Sequence, residues 1–408
     1  LAMTVSLSTG CMKIIKIGKK YTISIFTCLL IGFIMTGCGK RARNYYDEGI
    51  EAFQKKDYNL AEECFSEALK KNKEKAEYYI SYGLALMKNE KYEDAIKQLE
   101  KAILDKDNQI VLENNKAAYR GLGIVYYDRQ EYEQAISQFE KALEIKELSS
   151  LDRDIICYLM ECEELTGDYK KAMEYCQKAI SLEESASMLA RLAELEKKNG
   201  NFEDAMKHYD QAISMEKENY NYYFQKYYLL KEQGNKKEAQ KVLERAASIK
   251  PSTDGQKYGQ AKLYYFLGKT KTAEKGFQTA LEKGYAEAGF YLGQIAQKKG
   301  EIKAAIKYYI DYIESGKKIG SAAVYNQLGI CYLEQGNYEY ARDTFAIGLK
   351  TKDPLMKKKL LFNQTIVYEH LGKFEKALKY AEDYLKEYPD DNKMKEERKF
   401  MKTRISKS

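Results

Sequence analysis

The chain has 408 residues, with 3 Pro and no Trp against 37 Tyr and with 32% charged side chains, a composition that reads as helix nearly throughout. Pro251, Pro354 and Pro389 then belong in turns between helices. The net charge of +7 is concentrated at the start. Lys13, Lys16, Lys19 and Lys20 lie in the first 38 residues, which hold no Asp or Glu, and the nearly neutral remainder offers no sustained field for a phosphate backbone, so nucleic acid is excluded as a partner.

In chain order, Leu1 to Cys11 carry no structural signal, and Met12 reads as the true start. A basic stretch from Lys13 to Lys20 precedes an apolar run from Tyr21 to Met35 and then Met35-Thr36-Gly37-Cys38. A charged n-region, an apolar h-region and terminal small residues make a secretory signal, and the run is short for a transmembrane helix. The quartet resembles the lipobox of bacterial lipoproteins, with Met35 where that family prefers Leu. The resemblance implies that residues 1–37 are a signal segment and that Cys38 is lipidated. Residues 38–43 then form a short tether on the extracytoplasmic face of the cell membrane. The alternative is an uncleaved signal anchor with Cys38 a bystander; in both cases the body faces outward.

The body repeats. Asp57-Tyr58-Asn59-Leu60-Ala61 with Phe65 and Ala68 returns as Lys91-Tyr92-Glu93-Asp94-Ala95 with Leu99 and Ala102. It returns again as Glu131-Tyr132-Glu133-Gln134-Ala135 with Phe139 and Ala142. The same Ala recurs at Ala172, Ala205, Ala239, Ala273, Ala305, Ala341 and Ala377, which makes ten copies over residues 44–389 with a step centred on 34 residues. Upstream of the Ala lies a second pattern: Tyr79, Tyr82, Gly83 and Leu86, then Tyr119, Leu122, Gly123 and Tyr126, and later Tyr325, Leu328, Gly329 and Tyr332. Gly83, Gly123, Gly293 and Gly329 lack a Cβ and let a paired helix approach closely, and Gly167, Gly200, Gly234 and Gly336 suit the tight turn inside a unit.

This pattern resembles the tetratricopeptide repeat. The resemblance implies an all-α fold: a right-handed α-solenoid of about ten helix-turn-helix repeats, stabilised by stacking. Copies whose Ala is 172, 205, 239 or 273 lack the first-helix Gly. The compressed stretch Gly284 to Gly316 is similar to the related Sel1-like variant. Extra residues near Asp105 to Glu113 and Leu148 to Leu151 are expected to lengthen inter-repeat loops. Residues 390–408 read as a charged, solvated capping helix that frays at its end.

Reactive chemistry finds no pattern. His208 and His370 lie in distant repeats without metal-ligand spacing, there is no phosphate loop or nucleophile elbow, and Glu161, Glu163 and Glu164 read as a solvated face. No enzyme activity, metal, cofactor or small-molecule substrate is expected. Cys64, Cys157, Cys162, Cys176 and Cys331 are odd in number; Cys176 stands where other copies carry Phe, and a Cys162–Cys176 pairing across a hairpin stays open. Surplus thiols in an exported chain leave a signal-anchored or cytoplasmic regulator as the alternative.

Members of the family bind peptides or partner helices along the concave wall of the first helices. That register points to a groove of Tyr46, Ile50, Phe53, Ile80, Leu84, Met87, Ile124 and Tyr127, and a second stretch of Phe224, Tyr228, Tyr258, Tyr265, Phe266 and Phe290. Packing of some of these on adjacent helices is the competing reading. The middle wall, with Asp154, Glu161, Glu164, Glu194, Lys197 and Lys198, is polar. Tyr46 and Ile50 stand where a carboxylate clamp of Lys and Asn would sit in the chaperone-binding members, so that ligand class is not supported. The expected function is a membrane-anchored scaffold that binds other proteins.

Overall fold

A computed structural model describes residues 37–316 and 321–405; the expected signal segment lies outside the described residues. The described residues form twenty-one α-helices and one short 3-10 turn. They divide into two compact units at the boundary between Glu216 and Lys217. The N-terminal unit holds α1 (Gly37–Gln54), α2 (Tyr58–Lys71), α3 (Ala76–Lys88), α4 (Tyr92–Lys101), α5 (Gln109–Asp128), α6 (Tyr132–Glu144), α7 (Asp152–Thr166), α8 (Tyr169–Leu182), α9 (Ala186–Lys198) and α10 (Phe202–Met215). The C-terminal unit holds α11 (Tyr220–Glu232), α12 (Lys236–Ala247), α13 (Asp254–Phe266), α14 (Thr270–Glu282), α15 (Glu287–Lys298) and α16 (Ile302–Glu314). It continues with α17 (Ser321–Glu334), α18 (Tyr338–Lys350), α19 (Pro354–His370), α20 (Phe374–Glu387) and α21 (Asn392–Ile405).

Odd-numbered helices from α1 to α19 are the first members of ten hairpins, and the even-numbered helices are the second. The ten aligned alanines, from Ala61 to Ala377, each lie in a second helix and are all buried. Each stands five residues after a backbone in the left-handed region. That residue is Gly in seven turns, from Gly167 (φ 91°) to Gly372 (φ 68°), but Lys56, Glu90 and Gln130 in the first three (φ 65°, 62° and 64°). A non-Gly residue there is held against its own steric preference.

Four residues beyond each Ala, a second buried side chain meets the first helix. A Cβ on Gly83 would stand 2.7 Å from Leu99, and one on Gly123 2.6 Å from Phe139; Gly293 and Gly329 face Tyr309 and Phe345 as closely. Gly49 does the same against Phe65, at 2.7 Å, in a copy where sequence reasoning did not single it out. Where this Gly is absent, the pair redistributes volume: Met160 accompanies Cys176 and Ala261 accompanies Phe277, each pair within one buried cluster. Close packing needs a filled seam rather than a glycine, so one large and one small side chain serve as well as Gly with Phe.

The clusters run on from hairpin to hairpin. One core extends from Ala42 to Cys162, and another joins Phe290 and Tyr309 to Val324 and Cys331. First helices also pack on the next first helix within each unit, α3 on α5 and α17 on α19 among them, which lines them up as a wall.

Several ends depart from the sequence expectation. Instead of only a longer loop, the residues near Asp105–Glu113 add turns to the start of α5, and Asn115 ties that extension to Leu104 by accepting from its N–H at 2.9 Å and donating to its carbonyl at 2.8 Å. Ser149–Leu151 form the 3-10 turn. Pro354 is the first residue of α19 rather than part of a turn, beneath the N-cap Asp353, where its missing N–H is harmless. The charged α21 docks through fully buried Met394 and Met401, which share one face seven residues apart.

Candidate functional site

The wall of first helices is the surface that the sequence reading assigns to a partner. In the N-terminal unit the apolar part of that wall is mostly spent on packing. Tyr46, Phe53, Ile80, Leu84, Met87 and Ile124 are buried. Tyr46 stacks on Tyr78 with ring centroids 4.6 Å apart and shares a hydrogen bond with Ser81 at 3.1 Å. Ile50 and Tyr127 remain half-buried. Side-by-side first helices bury these positions in the seam between repeats, which sequence periodicity alone does not separate from an open face.

Further along the same unit the wall turns polar, and the expectation of a solvated acidic face at Glu161, Glu163 and Glu164 is overturned. Glu161 and Glu163 are buried, at 5% and 3% exposure. Tyr127 donates to Glu161 at 3.0 Å. Glu164 pairs with Arg191 and, at 2.5 Å, with Lys198. One repeat earlier, fully buried Arg120 donates through Nε to Asp154 at 2.6 Å. Beside it, buried Lys116 contacts Asp152 at 2.5 Å and donates to the Ile145 carbonyl at 2.7 Å. Tyr209 donates to Glu194 at 3.0 Å. Apart from the Tyr209–Glu194 pair, which closes within one hairpin, these charges meet partners one repeat away, a distance at which local charge patterning carries no signal, and each offsets part of the cost of burying the other.

The C-terminal unit carries rings at the same positions. Phe224 of α11 and Phe290 of α15 are buried, whereas Tyr228, Tyr258, Tyr265 and Phe266 are half-buried. Phe266 lies edge-on to Phe224 (5.6 Å), Tyr228 (6.0 Å) and Tyr265 (5.5 Å), and Tyr265 lies edge-on to Tyr291 (5.4 Å). Lysines replace carboxylate partners here. Lys298 sits 4.7 Å over the Tyr265 ring and donates to its hydroxyl at 3.2 Å, and Tyr265 donates in turn to Gln294 at 3.0 Å. Lys262, which sequence reasoning did not single out, has its ammonium over two rings, 5.2 Å from the centre of Phe224 and 5.0 Å from that of Tyr258. Burial holds its pKa down to about 8, with Glu287 opposing from a distance. The available signal was a lone cation one residue after the small Ala261, inside an aromatic run.

The remaining candidates have structural surroundings. His208 Nδ1 meets Glu196 at 2.7 Å, and His370 stacks on Tyr338 at 4.7 Å. Cys64, Cys157, Cys162, Cys176 and Cys331 are free thiols, all but Cys157 buried. Burial pushes the thiols of Cys162, Cys176 and Cys331 up to about 12, so thiolate chemistry is suppressed there. Among the described residues no group of three His, Cys, Asp or Glu could hold a metal ion, and no helix is long and apolar enough to cross a membrane. Two shallow recesses of about 240 and 430 Å³ are lined, one by residues of α13 and α14 and the other mainly by residues of α2; their acidic and basic side chains pair with each other at the surface, as Asp254 with Lys257, Glu67 with Lys70 and Glu62 with Lys91. Cys38 falls in the first turn of α1.

Ten hairpins that repeat one buried Ala and one left-handed turn define a helical-repeat protein whose first helices line a wall within each unit. Family models described as tetratricopeptide repeat match residues 46–109, 117–148, 162–185, 186–219, 220–253, 258–318, 292–356 and 326–392. The chain belongs to the tetratricopeptide-repeat family. No curated protein matches the sequence. Among solved structures the chain is similar to yeast Tom70, at 16% identity and a TM-score of 0.47, covering 91% of this chain and 97% of that one. It is also similar to the Cut9–Hcn1 hetero-tetramer of the APC/C, at 13% identity and a TM-score of 0.44, covering 93% and 98%. A tetratricopeptide repeat protein from Parabacteroides merdae matches at 18% identity and a TM-score of 0.40, covering 60% and 94%.

Proposed function

We propose that this chain is a non-enzymatic scaffold that holds peptide or helical segments of partner proteins on the first-helix wall of its C-terminal unit. The observation that carries the reading is the group of half-buried rings Tyr228, Tyr258, Tyr265 and Phe266. Tyr258 and Tyr265 rest edge-on against Phe277 of the seam below, and the group offers apolar ring area together with hydroxyls. Rigid rings on packed helices lose little entropy when a segment covers them. In the N-terminal unit Ile50 and Tyr127 add a smaller half-buried contact on the equivalent wall.

A photoreactive phenylalanine placed at Tyr228, and separately at Tyr340 on second helix α18, tests this. Tyr340 is 66% exposed and therefore more accessible to chance collision. Reproducible protein adducts from position 228 and not from position 340 are expected. Adducts from position 340 alone would overturn the reading.

The same proposal places the scaffold on the extracytoplasmic face of the cell membrane, tethered by lipid on Cys38. The lipobox-like Met35-Thr36-Gly37-Cys38 after a basic and then apolar run supports this. Burial of Cys64, Cys162, Cys176 and Cys331 is compatible with export, because inaccessible thiols do not oxidise readily. Mass spectrometry of the mature N-terminus is expected to find diacylated Cys38 as the first residue; an intact leader with unmodified Cys38 contradicts it.

A further inference from the structure

In the N-terminal unit the cations around the wall meet carboxylates: buried Lys116 meets Asp152, buried Arg120 meets Asp154, and half-buried Arg191 and exposed Lys198 share Glu164. Lys262 breaks that rule. It occupies the centre of the wall in α13, held between a ring of its own helix, Tyr258, and a ring of the preceding first helix, Phe224. No described carboxylate lies within ion-pair distance, and Glu287 acts on it only through space. Ring faces attract a cation but do not neutralise it, so a half-buried ammonium on an aromatic floor keeps an unmet preference for an anion.

We infer that Lys262 receives the carboxylate of an Asp or Glu side chain within a bound peptide whose neighbouring residues are apolar. The inference rests on the interaction reading given above and names the chemistry of its partner. A free inorganic anion would meet the charge and leave Phe266, Tyr265 and Tyr228 uncovered. An acidic side chain flanked by Leu, Phe or Tyr does both at once. One ammonium with no guanidinium beside it, and with Glu287 nearby, matches a singly charged carboxylate better than a doubly charged phosphate.

The test uses the full chain and an array of randomised dodecapeptides with acetylated and amidated ends, so that side chains supply the only carboxylates. Wild-type protein is expected to retain peptides enriched in Asp or Glu beside apolar residues. For a retained peptide, replacing its acidic residue by the amide is expected to weaken binding about tenfold or more. Lys262→Met is expected to lose that preference and to keep the apolar one, with Lys262→Gln as a second variant and thermal melting as the check on folding. Acid preference unchanged in both variants, or retained peptides with no acid preference, overturns the role of Lys262 and leaves the interaction reading standing. No peptide retained by any folded form overturns both.

Discussion

In the N-terminal unit the charged residues of the first helices answer one another across repeats, as Arg120 answers Asp154 and Lys198 answers Glu164. In the C-terminal unit the corresponding surface carries rings, and Lys262 rests on two of them without a counter-ion. The same helical frame thus yields a wall whose charges are paired internally and a wall where Lys262 is not. Cross-repeat pairing fixes register but leaves little to offer a ligand. An aromatic wall with one unmatched cation is less favourable for folding and more useful for recognition.

The comparison is broken most severely at Arg120. Arg120→Met leaves Asp154 buried and unpaired, and is expected to destabilise the N-terminal unit by about 3–5 kcal/mol. Arg120→Met with Asp154→Leu is expected to recover most of the loss, as measured by chemical denaturation. An equal loss in the double variant would show that packing, not charge, holds that site.

Overfilling a seam comes next. Gly123→Val meets the Phe139 ring, and is expected to cost about 1–3 kcal/mol by the same measurement. The equivalent change at Ala193, the seam position of a copy without the Gly, adds less volume and is expected to cost less.

Lys262→Met is expected to move stability the other way, upward by about 1–2 kcal/mol near neutral pH, because the folded state no longer desolvates a charge. The pH dependence carries the same sign. Folding lowers the Lys262 pKa from 10.5 to about 8, so between those values the unfolded chain binds more protons. Wild-type stability is therefore expected to rise relative to Lys262→Met as pH increases from about 8 to about 10.5, with Tyr258 and Glu287 the titratable groups that face it. A pH-independent difference in melting between the two would contradict the account of that site.

The smallest effect separates the first three turns from the rest. Glu90→Gly relieves a left-handed non-glycine backbone and is expected to stabilise by up to about 1 kcal/mol, whereas Gly200→Ala is expected to destabilise by about the same amount. Thermal melting of the two single variants reads both signs.

The repeat was legible because its signals are local: an Ala after a polar turn, a small residue facing a large one, and a step near 34 residues. The turn glycines were legible for the same reason. Their non-glycine counterparts Lys56, Glu90 and Gln130 were not, since nothing in those residue types announces a left-handed backbone. The wall was half legible. Periodicity placed Tyr46, Leu84 and Met87 on the first-helix face and could not show that the next repeat buries them. Glu161 and Glu163 looked solvated because their surroundings are set by other elements of the stack. Met394 and Met401 were a readable helical pair inside a charged tail, hidden only by the charge around them.

The central claim is that partners are held by the C-terminal wall and not by the internally paired one. Fluorescence anisotropy of one array-selected acidic peptide, titrated with Tyr228→Ala/Tyr265→Ala and with Glu164→Gln/Lys198→Met, compares the two directly. A loss of affinity of at least about tenfold is expected in the first double variant, with near wild-type binding in the second. Binding abolished in the second and intact in the first would contradict the account.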